Sequence, residues 1–361
     1  MVVVAGADSH YDCAMMKPVS ALALALAVSS AVSCASAPAK DEAPAADATT
    51  AAAPPPPPAP SPEELKAKAD ADKLVKDREA LVVSNDAAKA RFTPERTAEV
   101  KKLSEKDYAT GKAALTAVLK SPHRTAENMS RDSQRHPLET LEFFGFKPNM
   151  TVVEVGPGGG WWTELLAPAL HKKGKLIVTN GDDKGPIEQR QTYYAQRVSM
   201  LLAQSPELFG KVEVQVVDGK APKLTLVKTA DMVFVARGLH DMVSAGTLEL
   251  WLAQFHAALK DKGGVLAIEQ HRAKEGGDPV VSAKQGYLPQ AWVVSTIEAA
   301  GFKLEKRSEV NANPKDTKDY ARGVWALPPS LEGDEANKAA MQAIGESDRM
   351  TLKFVKVAAK K

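Results

Sequence analysis

An apolar strand that ends in a carboxylate and runs directly into a glycine loop and a helix start constrains this chain more than any other stretch. The residues are Thr151-Val152-Val153-Glu154-Val155, then Gly156-Pro157-Gly158-Gly159-Gly160, then Trp161-Trp162-Thr163. Glycines at such a turn let backbone approach a ligand and adopt φ values that other residues resist. The loop is expected to bind a cofactor, with Gly156, Gly158 and Gly160 supplying backbone amides and Glu154 steadying the turn. A dinucleotide fingerprint requires a third glycine three residues after the second. Trp161 or Thr163 stands there instead, depending on which glycine opens the count.

Downstream of the loop, strand-like runs alternate with helix-period segments, the pattern of an α/β protein whose mostly parallel, doubly wound sheet carries helices on both faces. Seven strands are predicted: Met150 to Val155, Lys175 to Thr179, Val212 to Val217, Met232 to Ala236, Val265 to Glu269, Lys303 to Val310 and Thr351 to Val357. Helices are expected over Pro137 to Phe144, Leu248 to Leu259 and Gln290 to Ala300, the first with proline in its opening turn and Gly145 beyond its end. In such sheets the ligand sits beyond the carboxyl ends of the strands, where the strand order reverses. The residues expected there are Asn180 and Asp182 after the second strand, Asp218 after the third, Arg237 to Asp241 after the fourth and Gln270-His271-Arg272 after the fifth.

The compact Gly156-x-Gly158-x-Gly160 spacing resembles the first motif of class I S-adenosylmethionine-dependent methyltransferases. Three segments narrow the likeness: Arg131 to Gly145, Val155 to Pro168 and Gly345 to Leu352. Together they resemble a group of bacterial predicted methyltransferases, many of which begin with a signal sequence. The resemblance covers about Arg131 to Lys356 and implies a Rossmann-like seven-stranded fold and S-adenosylmethionine as cofactor, without implying a substrate. Under it, Asn180 or Asp182 takes the ribose hydroxyls and Asp218 the adenine amino group.

Methyl transfer needs an aligned nucleophile and a place for its proton. His240 and His271 are the candidate bases, with Asp241 or Glu269 orienting one of them. Each of these residues also has a plain reading, as a turn former, a solvated carboxylate or a helix cap. Arg131, Asp132 and Arg135 lie just before the core, to reach the substrate or the cofactor carboxylate, or to pair with one another at the surface. Of Trp161 and Trp162, one is expected in the core and the other beside the pocket. His123, His171 and His256 are expected at the surface. No HxH or HExxH spacing is present, so no metal is expected.

The ends of the chain speak to location. Met16-Lys17-Pro18, an apolar run from Val19 to Val28, and Ala31-Val32-Ser33-Cys34 read as a secretory signal too short to span a membrane. The Ser33-Cys34 ending resembles a bacterial lipoprotein signal, so residues 1–34 are expected to be a signal peptide and Cys34 a lipidated anchor in the cell envelope. The true start then falls at Met15 or Met16, and Cys13 is never made. Cys34 is the sole cysteine left, which excludes an internal disulfide and a thiolate metal site.

An Ala/Pro-rich tether is expected over residues 35–62 and a helical extension over 63–125, ahead of a catalytic domain over 126–361. Lys and Arg total 47 against 45 Asp and Glu. Nucleic acid is therefore not an expected partner, and the substrate is a small molecule or an envelope component. The competing reading is a binding module that holds a nucleoside-like ligand without turnover, because S-adenosylmethionine is made in the cytoplasm. A nicotinamide-dependent oxidoreductase is disfavoured by the glycine spacing and by the strand after Arg349.

Overall fold

The computed structural model describes residues 61–357. The expected signal segment, Cys34 and nearly all of the tether lie outside the described residues. Six helices precede the sheet: α1 (Pro62–Ala90), α2 (Pro94–Glu105), α3 (Gly111–Leu119), α4 (Ala126–Ser130), α5 (Asp132–Arg135) and α6 (Pro137–Phe144). Then follow β1 (Thr151–Val155), α7 (Thr163–Leu170), β2 (Lys175–Asn180), α8 (Arg190–Leu202), α9 (Pro206–Phe209), β3 (Glu213–Val216) and β4 (Met232–Ala236). The last part holds α10 (Leu239–Ser244), α11 (Leu248–Ala258), β5 (Val265–His271), α12 (Pro279–Ala283), α13 (Gln290–Ala299), β6 (Phe302–Ser308), α14 (Lys338–Ile344) and β7 (Arg349–Lys356).

The strands form one doubly wound sheet in the order β3-β2-β1-β4-β5-β7-β6. All neighbours from β3 to β5 pair parallel, while β7 lies antiparallel between β5 and β6. Strand order reverses between β1 and β4, so the crevice at their carboxyl ends is where a ligand would sit. Burial follows position: every residue of central β5 is buried, as a strand covered on both faces requires, whereas edge strands β3 and β6 are largely exposed. Edge β6 carries Lys303, Glu305, Lys306 and Arg307, charges that discourage further pairing.

Two large apolar clusters cover the two faces. One gathers Val153, Val233 and Ile268 with Leu252 and Phe255 of α11 and Val293 and Ile297 of α13. The other gathers Val152, Val178 and Phe234 with Leu165 and Leu166 of α7, Leu141 and Phe144 of α6, Leu115 and Val118 of α3, and Val100 of α2. The helical extension therefore shares a core with the sheet. His123, expected at the surface, is buried here, its Nε2 against the Glu164 carbonyl at 2.9 Å and its Nδ1 against Ser121 Oγ at 2.8 Å.

Several strand ends depart from the predicted ones. β5 runs through Gln270 and His271, which were expected in a loop, because β7 begins at Arg349 and pairs Met350 with Gln270 and Arg349 with His271. β2 likewise ends in Asn180 rather than before it, paired with Val216 of β3. β6 stops at Ser308, short of Val310. Among the described residues no helix is long and apolar enough to cross a membrane.

Candidate functional site

The glycine loop leaves β1 with positive φ at Gly156 (58°), Gly158 (61°) and Gly160 (76°). These glycines do two different jobs. A Cβ built on Gly156 or Gly158 meets nothing within 4 Å, so the protein leaves open space beside their backbone. A Cβ on Gly160 would collide with Leu201 of α8, and one on Gly159 with the Arg197 guanidinium, so these two positions let α8 pack close to the loop. Gly160, expected to face the cofactor, thus serves helix packing. Thr179 at the end of β2 fixes the loop by accepting a hydrogen bond from Gly156 N at 3.1 Å.

Glu154 caps α7, whose first turn has no side-chain cap of its own. It accepts from Thr163 Oγ1 at 2.8 Å and from the Thr163 backbone amide. Full burial pushes its carboxyl up to about 8, against the lowering effect of these bonds. A protonated carboxyl suits this place better than a buried, unpaired negative charge.

At the next two strand ends the expected ribose and adenine ligands shape turns. Asp182 Oδ1 accepts from Lys184 N at 2.9 Å and Asp218 Oδ1 accepts from Lys220 N at 2.9 Å, and both residues are exposed. Asn180 Nδ2 donates to Ala195 O of α8 at 3.1 Å. Gln191 of α8, which the sequence did not single out, stands beside both Gly181 and Gly219. α8 thus reaches the same end of the sheet as the turns after β2 and β3.

Beyond β4, Arg237 holds a left-handed φ of 59° while its amide donates to Glu269 O at 2.6 Å. α10 then places His240, buried, with its ring centroid 5.7 Å from that of His271. Gln270, another residue the sequence left without a role, reaches between the elements. Its Oε1 accepts from Leu239 N at 3.2 Å, while its Nε2 donates to Gly286 O at 3.0 Å and lies 3.3 Å from His240 Nδ1. With Gln270 donating to Nδ1, the His240 proton resides on Nε2, 3.4 Å from the 78% exposed carboxylate of Asp241. In that tautomer His240 offers no free lone pair, since Nδ1 accepts from Gln270 and Nε2 bears the proton.

His271 is placed differently. Its Nδ1 lies 2.5 Å from Ser347 Oγ, and its ring stands 6.2 Å from that of Tyr287. Burial first, and then the nearby Arg237 and Arg349 guanidiniums, hold it well below the usual imidazole range, so it is neutral at physiological pH. Glu269, expected to orient a histidine, is instead committed to Arg349, whose Nε lies 2.6 Å from Oε1. Tyr287 also lines an open groove of ≈ 440 Å³ together with Val281, Gln285, Lys318 and Tyr320.

Arg131, Asp132 and Arg135 do not form a surface cluster. Asp132 pairs with the buried Arg124, while Arg131 and Arg135 reach Glu346 through their Nε atoms at 2.8 and 3.0 Å. Arg349 Nη1 reaches the same carboxylate at 2.9 Å, and Arg237 Nη1 lies 4.0 Å from it. Trp161 lies beneath Arg135, guanidinium to ring centroid 4.6 Å, while Trp162 packs edge-on against Phe234 in the core at 5.0 Å. The segments beginning at Arg131, Val155 and Gly345 thus meet in space, a juxtaposition their sequence likeness hints at without showing. Among the described residues no group of three His, Cys, Asp or Glu could hold a metal ion.

No protein-family model matches this chain, and no curated protein matches it. Solved structures do. A SAM-dependent methyltransferase from Aquifex aeolicus is 24% identical over 50% of this chain and 87% of its own, with a TM-score of 0.39. The CcbJ methyltransferase from Streptomyces caelestis is 14% identical over 63% and 90%, with a TM-score of 0.40. A TehB-like SAM-dependent methyltransferase from Corynebacterium glutamicum is 15% identical over 62% and 87%, with a TM-score of 0.34. Likenesses at these identities and scores add nothing to the chemistry, which rests on this chain's own residues.

Proposed function

We propose that this protein is an S-adenosylmethionine-dependent methyltransferase acting on a small molecule or an envelope component. The observation that carries the reading is the open space beside the backbone of Gly156 and Gly158, at the reversal of a β3-β2-β1-β4-β5-β7-β6 sheet. Gly156 and Gly158 would hold the cofactor's methionyl end, Asn180 or Asp182 its ribose and Asp218 its adenine. When bound, the cofactor supplies an electrophilic methyl group on a sulfonium whose sulfur keeps the bonding electron pair.

What the chain's own residues must do is orient the acceptor and take its proton. Gln270 takes the one lone pair of His240, which favours His271 for that task, because a neutral imidazole with Nδ1 donating to Ser347 presents Nε2 as a lone pair. His240, held by Gln270, would then set the shape of the pocket wall. Tyr287 links His271 to the open groove, which offers the acceptor an approach. Alignment on such a scaffold can supply roughly 7 kcal/mol or more of the rate enhancement.

Titration of the purified protein by calorimetry with S-adenosylhomocysteine and with NAD tests the reading. Binding of S-adenosylhomocysteine, lost in Gly158→Val, is the expected result. Binding of NAD alone would overturn it, and binding without turnover in any extract would favour a ligand-binding module. Gly158→Val must be assayed well below its melting point, since an L side chain at that φ costs about 1–2 kcal/mol on its own. We further propose that Cys34 carries a lipid that anchors the protein in the cell envelope. Labelling with a palmitate analogue should tag the wild type and not Cys34→Ala, and an untagged wild-type protein would refute the anchor.

A further inference from the structure

At the carboxyl edge of β4 and β5, four guanidiniums surround two carboxylates. Glu346 receives Arg131, Arg135 and Arg349 with Arg237 close by, and Glu269 receives Arg349. Four positive charges against two negative leave the cluster with an excess of two positive charges. Of its neighbours, Arg272 and Lys318 balance Asp348 and Glu309, whereas Arg124 between Glu164 and Asp132 leaves one negative charge over, so the wider cluster still holds a positive surplus of one. A buried positive excess is unfavourable unless something neutralises it.

The excess has a defined outlet. Arg135 is 1% exposed, yet among the described residues neither of its terminal nitrogens, Nη1 and Nη2, has a hydrogen-bond partner. Trp161 covers the face of that guanidinium and Glu346 takes its Nε, which leaves the two-donor edge unsatisfied. Such an edge is complementary to a planar acceptor with two oxygens, a carboxylate. Arg131 and Arg237, 18% and 25% exposed at the side chain, are the members through which a ligand would enter.

Location connects the cluster to the proposed chemistry. Trp161 follows the glycine loop directly, Arg237 lies three residues before His240, and Arg349 is the register partner of His271 across β5 and β7. The cluster therefore lies between the cofactor loop and the histidine pair. We infer that Arg131, Arg135 and Arg237 form a receptor for a ligand carboxylate at the methyl-transfer centre. This rests on the methyltransferase reading and narrows it. The carboxylate is that of the methyl acceptor.

Calorimetry on the full chain separates an acceptor carboxylate from the cofactor's own tail. Wild type, Arg131→Gln, Arg237→Gln and Arg135→Lys are titrated with S-adenosylhomocysteine, with its decarboxylated analogue, and with succinate added to the protein both free and saturated with S-adenosylhomocysteine. Sodium chloride is matched throughout. Arg135→Lys keeps the charge and an ion pair to Glu346 while removing the two-donor edge, so it reads the receptor even where a glutamine variant fails to fold.

A preference for S-adenosylhomocysteine over its analogue that shrinks at least tenfold in the variants, with succinate unaffected, would assign the arginines to the cofactor's own tail and overturn the inference. An acceptor carboxylate leaves that preference intact and weakens succinate at least tenfold. Unchanged preference and unchanged succinate affinity would overturn the inference, as would a succinate effect reproduced by chloride alone. Should S-adenosylhomocysteine not bind the wild type, the methyltransferase reading fails, and succinate binding to the free protein decides the receptor by itself.

Discussion

Along the ends of β1, β2 and β3 the candidate site is built from backbone: glycines with positive φ, a threonine clamp and two exposed aspartates that close turns. Along the ends of β4, β5 and β7 it is built from buried side chains, in which arginines, glutamates, histidines and Gln270 hold one another. The first half can change its ligand contacts with little consequence for the fold. The second half cannot, because most of its charges are partners that another buried charge requires. One half of the strand-end face is thus adaptable and the other rigid.

Removing a charge from the rigid half should have the largest effect. Arg349→Met strips Glu269 of its ion pair and Glu346 of one of its partners, in a place where Arg349 is 1% exposed. The expected cost is about 3–5 kcal/mol of stability, the usual worth of breaking a buried pair, measured by urea unfolding. A loss below about 1 kcal/mol would mean that this half is not the rigid one.

Acid provides a second, smaller probe of buried groups. Burial holds His123 down to about 4 from an ordinary 6.5, so the unfolded chain takes up this proton first as pH falls. The contribution is fully present above pH 6.5 and is lost as pH drops through about 4, on the order of 3 kcal/mol. His271 acts in the same direction. His123→Asn should flatten the stability profile over this window, and an unchanged profile would show that His123 does not govern it.

The smallest effect belongs to the adaptable half. Asp218→Asn should leave the melting temperature within the change produced by about 0.5 kcal/mol, since the residue is exposed and its backbone-bonded oxygen survives the substitution. S-adenosylhomocysteine affinity should nonetheless fall severalfold. Unchanged affinity would reduce Asp218 to a turn former and move adenine recognition to α8, where Gln191 stands nearest.

The same contrast explains what could be read from the sequence. The glycine loop was legible because thirteen consecutive residues carry it, and the sheet because buried parallel strands are written as apolar runs such as Val265 to Ile268. The charge network was not, because Arg135 and Glu346 lie 211 positions apart and nothing local joins them. Gln270 and His271 were expected in a loop for a related reason: their pairing partners, Met350 and Arg349, come from a strand whose start was placed two residues too late. His123 looked like a surface residue since neither neighbour in sequence reveals the Glu164 carbonyl that receives it. Gly160 was assigned to the ligand by spacing alone, and only the position of Leu201 reveals that it makes room for a helix.

Strand β7 has a further consequence for the order in which the molecule can become competent. β6 joins the sheet only through β7, and the residues leading into β7 and its first position supply Glu346, Ser347 and Arg349. A partly folded chain in which β1 to β5 have already paired would possess the glycine loop yet lack the partners of Arg131, Arg135, Glu269 and His271. Its crevice could be formed on one side and chemically blank on the other. The arginine and histidine side of the strand ends thus depends on β7 being in place, whereas the glycine loop does not.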